Sequence, residues 1–413
     1  MSSFKDNYAN NGGAIFVSSD SGNSHILASN FTNNYAYENG GAVGLRASML
    51  DINGSAFIDN YAEHGDGGAV YVGGTGDTNS IHYSVFDNNR ALEGNGGAVE
   101  WIASAGDITY TNFTGNDAEY GGALHLGGSA HDTSLDHVWF ENNTATKNGG
   151  AMDSNATYVH LTYTTFKSNY ADYGAALCRE IGATGGFGHD NVFIANHAYT
   201  SGAGLAWLGA KAIKINEYTF IDNTAGKSGA AIFIDTGSDN CGIFNCTFEG
   251  NHITNLTEDH DGGAILCNAF NTTIEDSSFN DNYANCGGAI HVTDAVDSGY
   301  TIILRSNFTD NHAIVNGGAI STKASAVTLN QTLFEENKAF EGGAIYVGGN
   351  EVNYIYLSSF VKNEAEGKGG AIDWVSSIGH IFDSNFTSNT AQYGGALYLG
   401  GSSEDTIIHN VTF

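Results

Sequence analysis

The chain has 413 residues, with 45 Asp plus Glu against 14 Lys plus Arg for a net charge of −31, 56 Gly, no Pro and five Cys. So acidic a balance excludes a general nucleic-acid or anionic-membrane binder, which needs a basic footprint, and otherwise speaks to solubility rather than fold. Five cysteines are too few for a disulfide framework, and no stretch approaches the about eighteen apolar residues of a membrane span.

From the start, Met1-Ser2-Ser3-Phe4, which carries no export signal, one pattern runs to the last residue. Gly-Gly-Ala-aliphatic is seen first as Gly12-Gly13-Ala14-Ile15 and last as Gly394-Gly395-Ala396-Leu397. With degenerate copies such as Gly174-Ala175-Ala176-Leu177, Gly202-Ala203-Gly204-Leu205 and Gly229-Ala230-Ala231-Ile232, it recurs 15 times at spacings of 25–33 residues. A period in this range belongs to a solenoid, in which each unit buries its apolar face only against its neighbours. The expectation is a single continuous domain over residues 1–413. Because Phe4 and Phe413 sit on the same repeat position with no capping unit outside them, the chain reads as a fragment of a longer protein whose export signal and anchor lie elsewhere.

Within one coil, Phe31 is followed by Asn34 and Ala36, then by Gly40-Gly41-Ala42-Val43, then by Ile52 five residues before the next Phe57. Phe recurs at 16 positions and an Asn stands three residues after the first 15 of them. After Gly-Gly-Ala the fourth position is aliphatic, the fifth varies and the sixth is mostly large and apolar, as in Val17, Leu45, Val72, Trp101, Leu126, Trp207 and Trp374. Period two bounded by Gly is a short strand with its even positions buried. The aliphatic before Phe marks a second strand, and Phe-x-x-Asn turns a third corner. Stacking one repeat per coil puts like residues above one another about 4.8 Å apart, so that Phe forms an aromatic column and Asn an amide ladder.

These two motifs in strict alternation resemble the polymorphic-membrane-protein repeat of chlamydial surface autotransporters, and look closer still to the adhesin-like proteins of methanogenic archaea. The resemblance covers essentially the whole chain. It implies a right-handed parallel β-helix of about fifteen coils, displayed at a cell surface and acting in adhesion. It transfers no catalytic residue, because the shared motifs are structural.

A slower repeat is also present: Gly67–Gly74 matches Gly342–Gly349, Glu100-Trp101 matches Asp373-Trp374, and Leu124–Gly128 matches Leu397–Gly401. The rules weaken between Gly174 and Asp261, where Arg179, Lys211, Lys214 and Lys227 form a basic patch. Cys241 and Cys246 are close enough in sequence to close a small disulfide loop, the alternative being small buried hydrophobes.

The fifth position of each strand points away from the core and makes one column, in which Tyr71, Glu100, His125, Tyr346, Asp373 and Tyr398 combine rings with carboxylates and imidazole. On an exposed face, that mixture suits a sugar, with rings for the apolar pyranose faces and acids for hydroxyls. Ca²⁺ is a weaker candidate ligand, at turns such as Asp77-Thr78, Asp132-Thr133 and Asp405-Thr406, which lack the tandem spacing of a Ca²⁺-binding roll. Glu258, Asp259, His260 and Asp261 form the densest acidic cluster. Twelve Asn-x-Ser/Thr sequons (Asn30, Asn53, Asn112, Asn142, Asn155, Asn245, Asn255, Asn271, Asn307, Asn330, Asn385 and Asn410) are glycan acceptors if the protein is exported. The reading is an extracellular adhesin-like rod that meets glycans or proteins of another cell, or neighbouring copies in an envelope. A ligand-free envelope stalk is the first alternative and a polysaccharide-acting lyase or hydrolase the second.

Overall fold

The computed structural model describes all residues except 1, 19–22, 47–48, 74–78, 104, 187, 257–260, 294–299, 324–325, 350, 376–377, 402 and 404–405. Asp77, Thr78, Asp405, Glu258, Asp259 and His260 therefore lie outside the described residues. The chain forms two compact units, Met1–Tyr199 with Ala203–Ala206, and Thr200–Gly202 with Trp207–Phe413. Each unit is a parallel β-helix. The described residues contain strands, turns and bends and no helix.

Each coil supplies four short strands, and each strand pairs in parallel with its equivalents one coil before and after. In the first unit, Asn30 faces Ala56, Phe31 faces Phe57 and Thr32 faces Ile58; Val70, Tyr71 and Val72 face Val99, Glu100 and Trp101; Ile81 faces Ile52 on one side and Ile108 on the other. The second unit repeats this, with Phe334 on Phe360, Ile345 on Ile372 and Ile355 on Ile381. Register is therefore set by the repeat itself. A slip of one residue would turn every inward side chain out.

The interior is built from columns of like residues. Phe4 to Phe193 stack at centroid distances of 4.7–4.9 Å with ring planes within 10°, and Phe220 to Phe386 do so at 4.6–4.9 Å. The Asn ladder is fully buried except at its two ends, Asn7 and Asn389, which are half-buried. Asn116 Nδ2 donates to Asn143 Oδ1 at 2.9 Å and to the Phe86 carbonyl at 3.1 Å, while its Oδ1 accepts from Asn89 N and Nδ2. One side chain thus closes polar groups on three coils, which is what lets a tight turn sit inside the protein without water.

A second ladder was not read from the sequence. Two residues before Phe stands a Ser or Thr in most coils; its hydroxyl donates to the carbonyl two residues back, as Ser84 does to His82 at 2.8 Å, and accepts the amide of the preceding coil, as Ser84 does from Ser55 at 3.2 Å. Cys246 occupies this position, its Sγ 3.1 Å from the Phe244 carbonyl and its amide donating to Ser277 Oγ. Cys241 lies instead against the Ser238 carbonyl at 3.3 Å. The proposed Cys241–Cys246 bridge is therefore absent, because each thiol serves its own local corner. All five cysteines are free and buried.

The first Gly of Gly-Gly-Ala turns the coil back over its own strand. Gly67 has φ +67°, and a Cβ there would lie 2.3 Å from the Val70 carbonyl oxygen; a Cβ on Gly68 would lie 2.1 Å from the Gly97 oxygen in the next coil. Neither position has space for a side chain.

Candidate functional site

The fold-back at Gly-Gly decides the fate of the fifth-position column. Its side chains do leave the core, as the alternation requires, but the corner and the polar link before it return over them. Glu100 is 2% exposed and Asp373 0%, which corrects the expectation of two accessible carboxylates. Tyr71, Tyr346 and Tyr398 are half-buried. Their rings lie along the strand, in space left by Gly73, Gly348 and Gly400, where an added Cβ would come within 2.5–3.1 Å of ring carbons.

In the first unit the column becomes a buried polar cluster. His125, half-buried, places Nδ1 2.9 Å from both Glu100 carboxylate oxygens and Nε2 3.6 Å from Asp153 Oδ2. Cys178 follows Asp153 in the next coil, and Glu180 stands two residues on. Ligand atoms of Asp153, Cys178 and Glu180 all lie within 4.8 Å of one another. Asn148, in the polar link, donates to Glu180 Oε1 at 2.6 Å. Burial raises the pKa of Glu100, against the pull of His125, and raises that of Asp153 to about 8. Burial works against protonation of His125, yet the charge of Glu100 and then Asp153 outweigh it and hold its pKa at about 9. Burial pushes the Cys178 thiol well above its ordinary range.

The second unit fills the same column differently. His291 is fully buried with Nε2 3.5 Å from Asp261 Oδ2, and burial lowers its pKa to about 4 despite that carboxylate. Burial, then the neighbouring Glu341, lifts Asp373 to about 7. Of the central basic patch, Lys211 is exposed and paired with Asp239 at 3.5 Å, whereas Arg179 is buried inside the coil, donating to the Ala156 carbonyl at 2.9 Å.

The exposed aromatic surface lies elsewhere, on a column the sequence reading passed over. Three residues before Phe the backbone turns through a left-handed residue, which is Gly54, Asp190 or Asn245 in some coils. In four consecutive coils of the first unit it is Tyr83, Tyr110, His137 and Tyr163, with φ of 47–54°. Tyr83, Tyr110 and His137 stack at 5.2 and 4.7 Å, Tyr163 lies tilted by 35° against His137 at 4.8 Å, and the three tyrosines are 63%, 48% and 49% exposed. Carboxylates flank them: Asp136 Oδ2 lies 3.0 Å from His137 Nδ1, and Asp107 Oδ2 3.2 Å from His82 Nε2.

Of the sequon asparagines, Asn53, Asn112, Asn142, Asn245, Asn255, Asn307, Asn385 and Asn410 are exposed, and Asn30, Asn155, Asn271 and Asn330 half-buried. The turn at Asp132 is held by Thr133 Oγ1 donating to the Ala130 carbonyl at 2.7 Å.

Comparison with known proteins bears on the repeat. The Chlamydia polymorphic membrane protein repeat matches residues 276–293 and 305–323, each a coil corner running from before Phe279 or Phe308 through Gly-Gly-Ala-Ile. Two coils of the chain thus match the polymorphic-membrane-protein repeat, and the other coils share their Phe-x-x-Asn and Gly-Gly-Ala corners. The chain also aligns with part of "Probable autotransporter YfaL" of Escherichia coli (strain K12), 30% identical over 207 residues, 43% of this chain and 16% of that protein. It aligns with "Metabotropic glutamate receptor-like protein R" of Dictyostelium discoideum as well, 28% identical over 172 residues, 41% of this chain and 10% of that one. The chain thus spans about a sixth or less of the length of these relatives. Among solved structures, a tailspike protein of E. coli bacteriophage HK620 in complex with a pentasaccharide aligns over 97% of this chain and 73% of its own, at 12% identity and a TM-score of 0.35. No helix among the described residues is long and apolar enough to cross a membrane.

Proposed function

We propose that this chain is part of a surface-displayed β-helical protein that attaches to glycans, and that the ridge Tyr83–Tyr110–His137–Tyr163 is the contact surface. The observation that carries this reading is the continuity of the ridge. A left-handed backbone costs a bulky residue roughly 1–2 kcal/mol, which Gly avoids and Asn or Asp reduces. The same corner carries Ala28, Glu217, Arg305, Gln331 and Leu357 in other coils, so the strain belongs to the corner; what sets these four successive coils apart is that each places an exposed ring there, in contact with its neighbour. Stacked rings offer a flat apolar strip to pyranose faces, with Asp107 and Asp136 beside it to accept from hydroxyls. The column around Tyr71, Tyr346 and Tyr398 offers half-buried rings and is a weaker candidate for the same role. Export also makes the sequon asparagines candidate acceptors of the protein's own glycans.

The test is a glycan array with the purified chain and with a Tyr83→Asn/Tyr110→Asn/Tyr163→Asn variant. Asn suits a left-handed corner, so the variant keeps or gains stability. Binding that falls at least tenfold in this variant supports the proposal. Binding unchanged in the variant places the contact elsewhere. No binding of the parent chain to any glycan or cell favours an envelope stalk, and release of reducing or unsaturated ends favours a polysaccharide-acting enzyme.

A further inference from the structure

The buried cluster of the first unit has the composition of a metal site rather than of a packed strand face. Four consecutive coils contribute Glu100, His125, Asp153 and Cys178 at one column position, and Glu180 joins them from the far end of its strand. Carboxylate, imidazole and thiol together are a borderline-soft donor set, and imidazole with thiolate is characteristic of zinc-class ions.

Three further features point to a missing ion. Asp153 is 1% exposed and the Cys178 thiol hydrogen-bonds to its carboxyl group, yet Oδ1 has no hydrogen-bond partner, a state that costs about 1–3 kcal/mol for a buried polar atom. His125 is held by Glu100 through Nδ1 while Nε2 faces Asp153. That is the carboxylate–histidine pairing which fixes the tautomer of a metal-bound imidazole and leaves Nε2 as the donor. Glu180 is only half-buried, giving a path from solvent, and Asn148 steadies one of its oxygens. Arg179, between the two ligands in sequence, points to the opposite face of the strand and donates to the Ala156 carbonyl.

We propose that Asp153, Cys178 and Glu180 bind one thiophilic divalent cation of the zinc class, with His125, whose Nε2 faces Asp153, as the nearest fourth donor and Glu100 as the positioning residue for His125. The fit is geometric. Ligand atoms around tetrahedral zinc stand about 3.3–3.8 Å apart, as bond lengths of about 2.0–2.3 Å require. The Asp153, Cys178 and Glu180 atoms, all within 4.8 Å of one another, need to close by at most about 1–1.5 Å, and His125 Nε2, 3.6 Å from Asp153 Oδ2, has to swing toward the other two to complete the set. Binding releases to solvent the thiol proton of Cys178, the Nε2 proton of His125 and the proton of Asp153, leaving thiolate, neutral imidazole and carboxylate as donors.

The experiment uses the tag-free chain, stripped with a chelator and titrated with Co²⁺ and then Zn²⁺. Expected is one equivalent of Co²⁺ giving thiolate-to-metal charge-transfer absorption in the near ultraviolet, bleached by Zn²⁺. Cys178→Ser should abolish that band, and Cys267→Ser should keep it, separating this thiol from the other buried cysteines. Glu100→Gln should retain the band with affinity about 10–100-fold lower, as for other partners of metal-bound histidines. Absence of the band in the parent chain, or a band of equal intensity in Cys178→Ser, overturns the proposal. Circular dichroism of each variant identifies any loss that comes from misfolding. In that event Asp153→Asn, which changes one atom, takes the place of Cys178→Ser, and tenfold or greater loss of Co²⁺ affinity is required. Glycan binding is read separately, so failure of either idea leaves the other standing.

Discussion

Replacing Asn116 by Ala tests whether the amide ladder, rather than the Phe stack beside it, holds the coil corners together. The side chain is fully buried and makes four hydrogen bonds: from Asn89 N and Asn89 Nδ2, and to Phe86 O and Asn143 Oδ1. After truncation Asn143 Oδ1 still accepts from Asn116 N at 3.0 Å, and Asn89 Nδ2 still donates to Phe57 O at 2.9 Å. The groups that lose a partner outright are the Asn89 backbone amide, which donated to Asn116 Oδ1, and the Phe86 carbonyl, which accepted from Asn116 Nδ2. Two such losses in a dry site, at about 1–3 kcal/mol each, sum to about 3–5 kcal/mol with the small cavity included. Asn142→Ala is the control, since Asn142 is the exposed left-handed neighbour with φ 55°, and Ala there should cost no more than about 1 kcal/mol. Urea unfolding gives the global value, and amide hydrogen exchange over residues 84–143 tells whether the loss is local to these coils, as expected where each coil contacts only its neighbours. A loss under about 1 kcal/mol, no larger than that of Asn142→Ala, would refute the assignment of stability to the ladder.

Two other outcomes follow from packing and charge. Gly106→Ala should cost about 2 kcal/mol, because a Cβ there would meet Trp101 Cζ2 at 2.2 Å and the Asn79 carbonyl oxygen at 2.5 Å; combined with Trp101→Leu, which relieves only the first contact, it should cost about 1 kcal/mol less than the sum of the singles in thermal unfolding, and strict additivity would show that the carbonyl and not the ring is the obstacle. Asp373 and His291 should give opposite pH dependences. The folded pKa of Asp373, about 7 against an ordinary 3.8, makes the folded state hold a proton that the unfolded chain releases, so its contribution is most favourable below about pH 4 and is lost as pH rises to 7. His291, at about 4 against 6.5, resists a proton that the unfolded chain takes up, so its contribution is present above pH 6.5 and lost as pH falls toward 4. Asp373→Asn should therefore stabilise by about 2–4 kcal/mol at pH 8 and by little at pH 4. Urea midpoints at pH 4, 6 and 8 check this; an equal gain at all three values would show that the carboxyl is not titrating.

The residues that face inward announced the fold. Phe31, Asn34, Ala36 and the aliphatic at Ile52 recur because nothing else fits a column whose neighbours above and below are copies of itself. The outward side was only half legible. Alternation along Val99-Glu100-Trp101 says that Glu100 leaves the core, but not that the corner at Gly96-Gly97 brings the chain back over it. That is a contact between segments whose polar residues vary freely. The Ser and Thr ladder was visible in principle at Ser29, Ser55, Ser84 and Thr111, but in a chain so rich in these residues it did not stand out. The tyrosine ridge was hidden for a different reason. Sequence rules assign left-handed corners to Gly and Asn, and Tyr83, Tyr110 and Tyr163 break that rule. Cys241 and Cys246 misled because nearness in sequence says nothing about which carbonyl each thiol already serves.

The ladders also constrain how such a protein changes over evolutionary time. Because each Asn finishes the turn of its neighbours by the same bonds, any coil boundary is interchangeable with any other in the same unit, and a gain or loss of one whole repeat heals without a mismatched seam. A gain of two or three residues between Phe and Asn would instead break the amide chain at that point. Length can therefore vary freely in the links and between coils, and hardly at all within a corner. This is the pattern expected when unequal crossing-over, rather than point mutation, is the main source of novelty: reach is altered in whole-coil steps, while surface chemistry drifts residue by residue on whatever faces the outside.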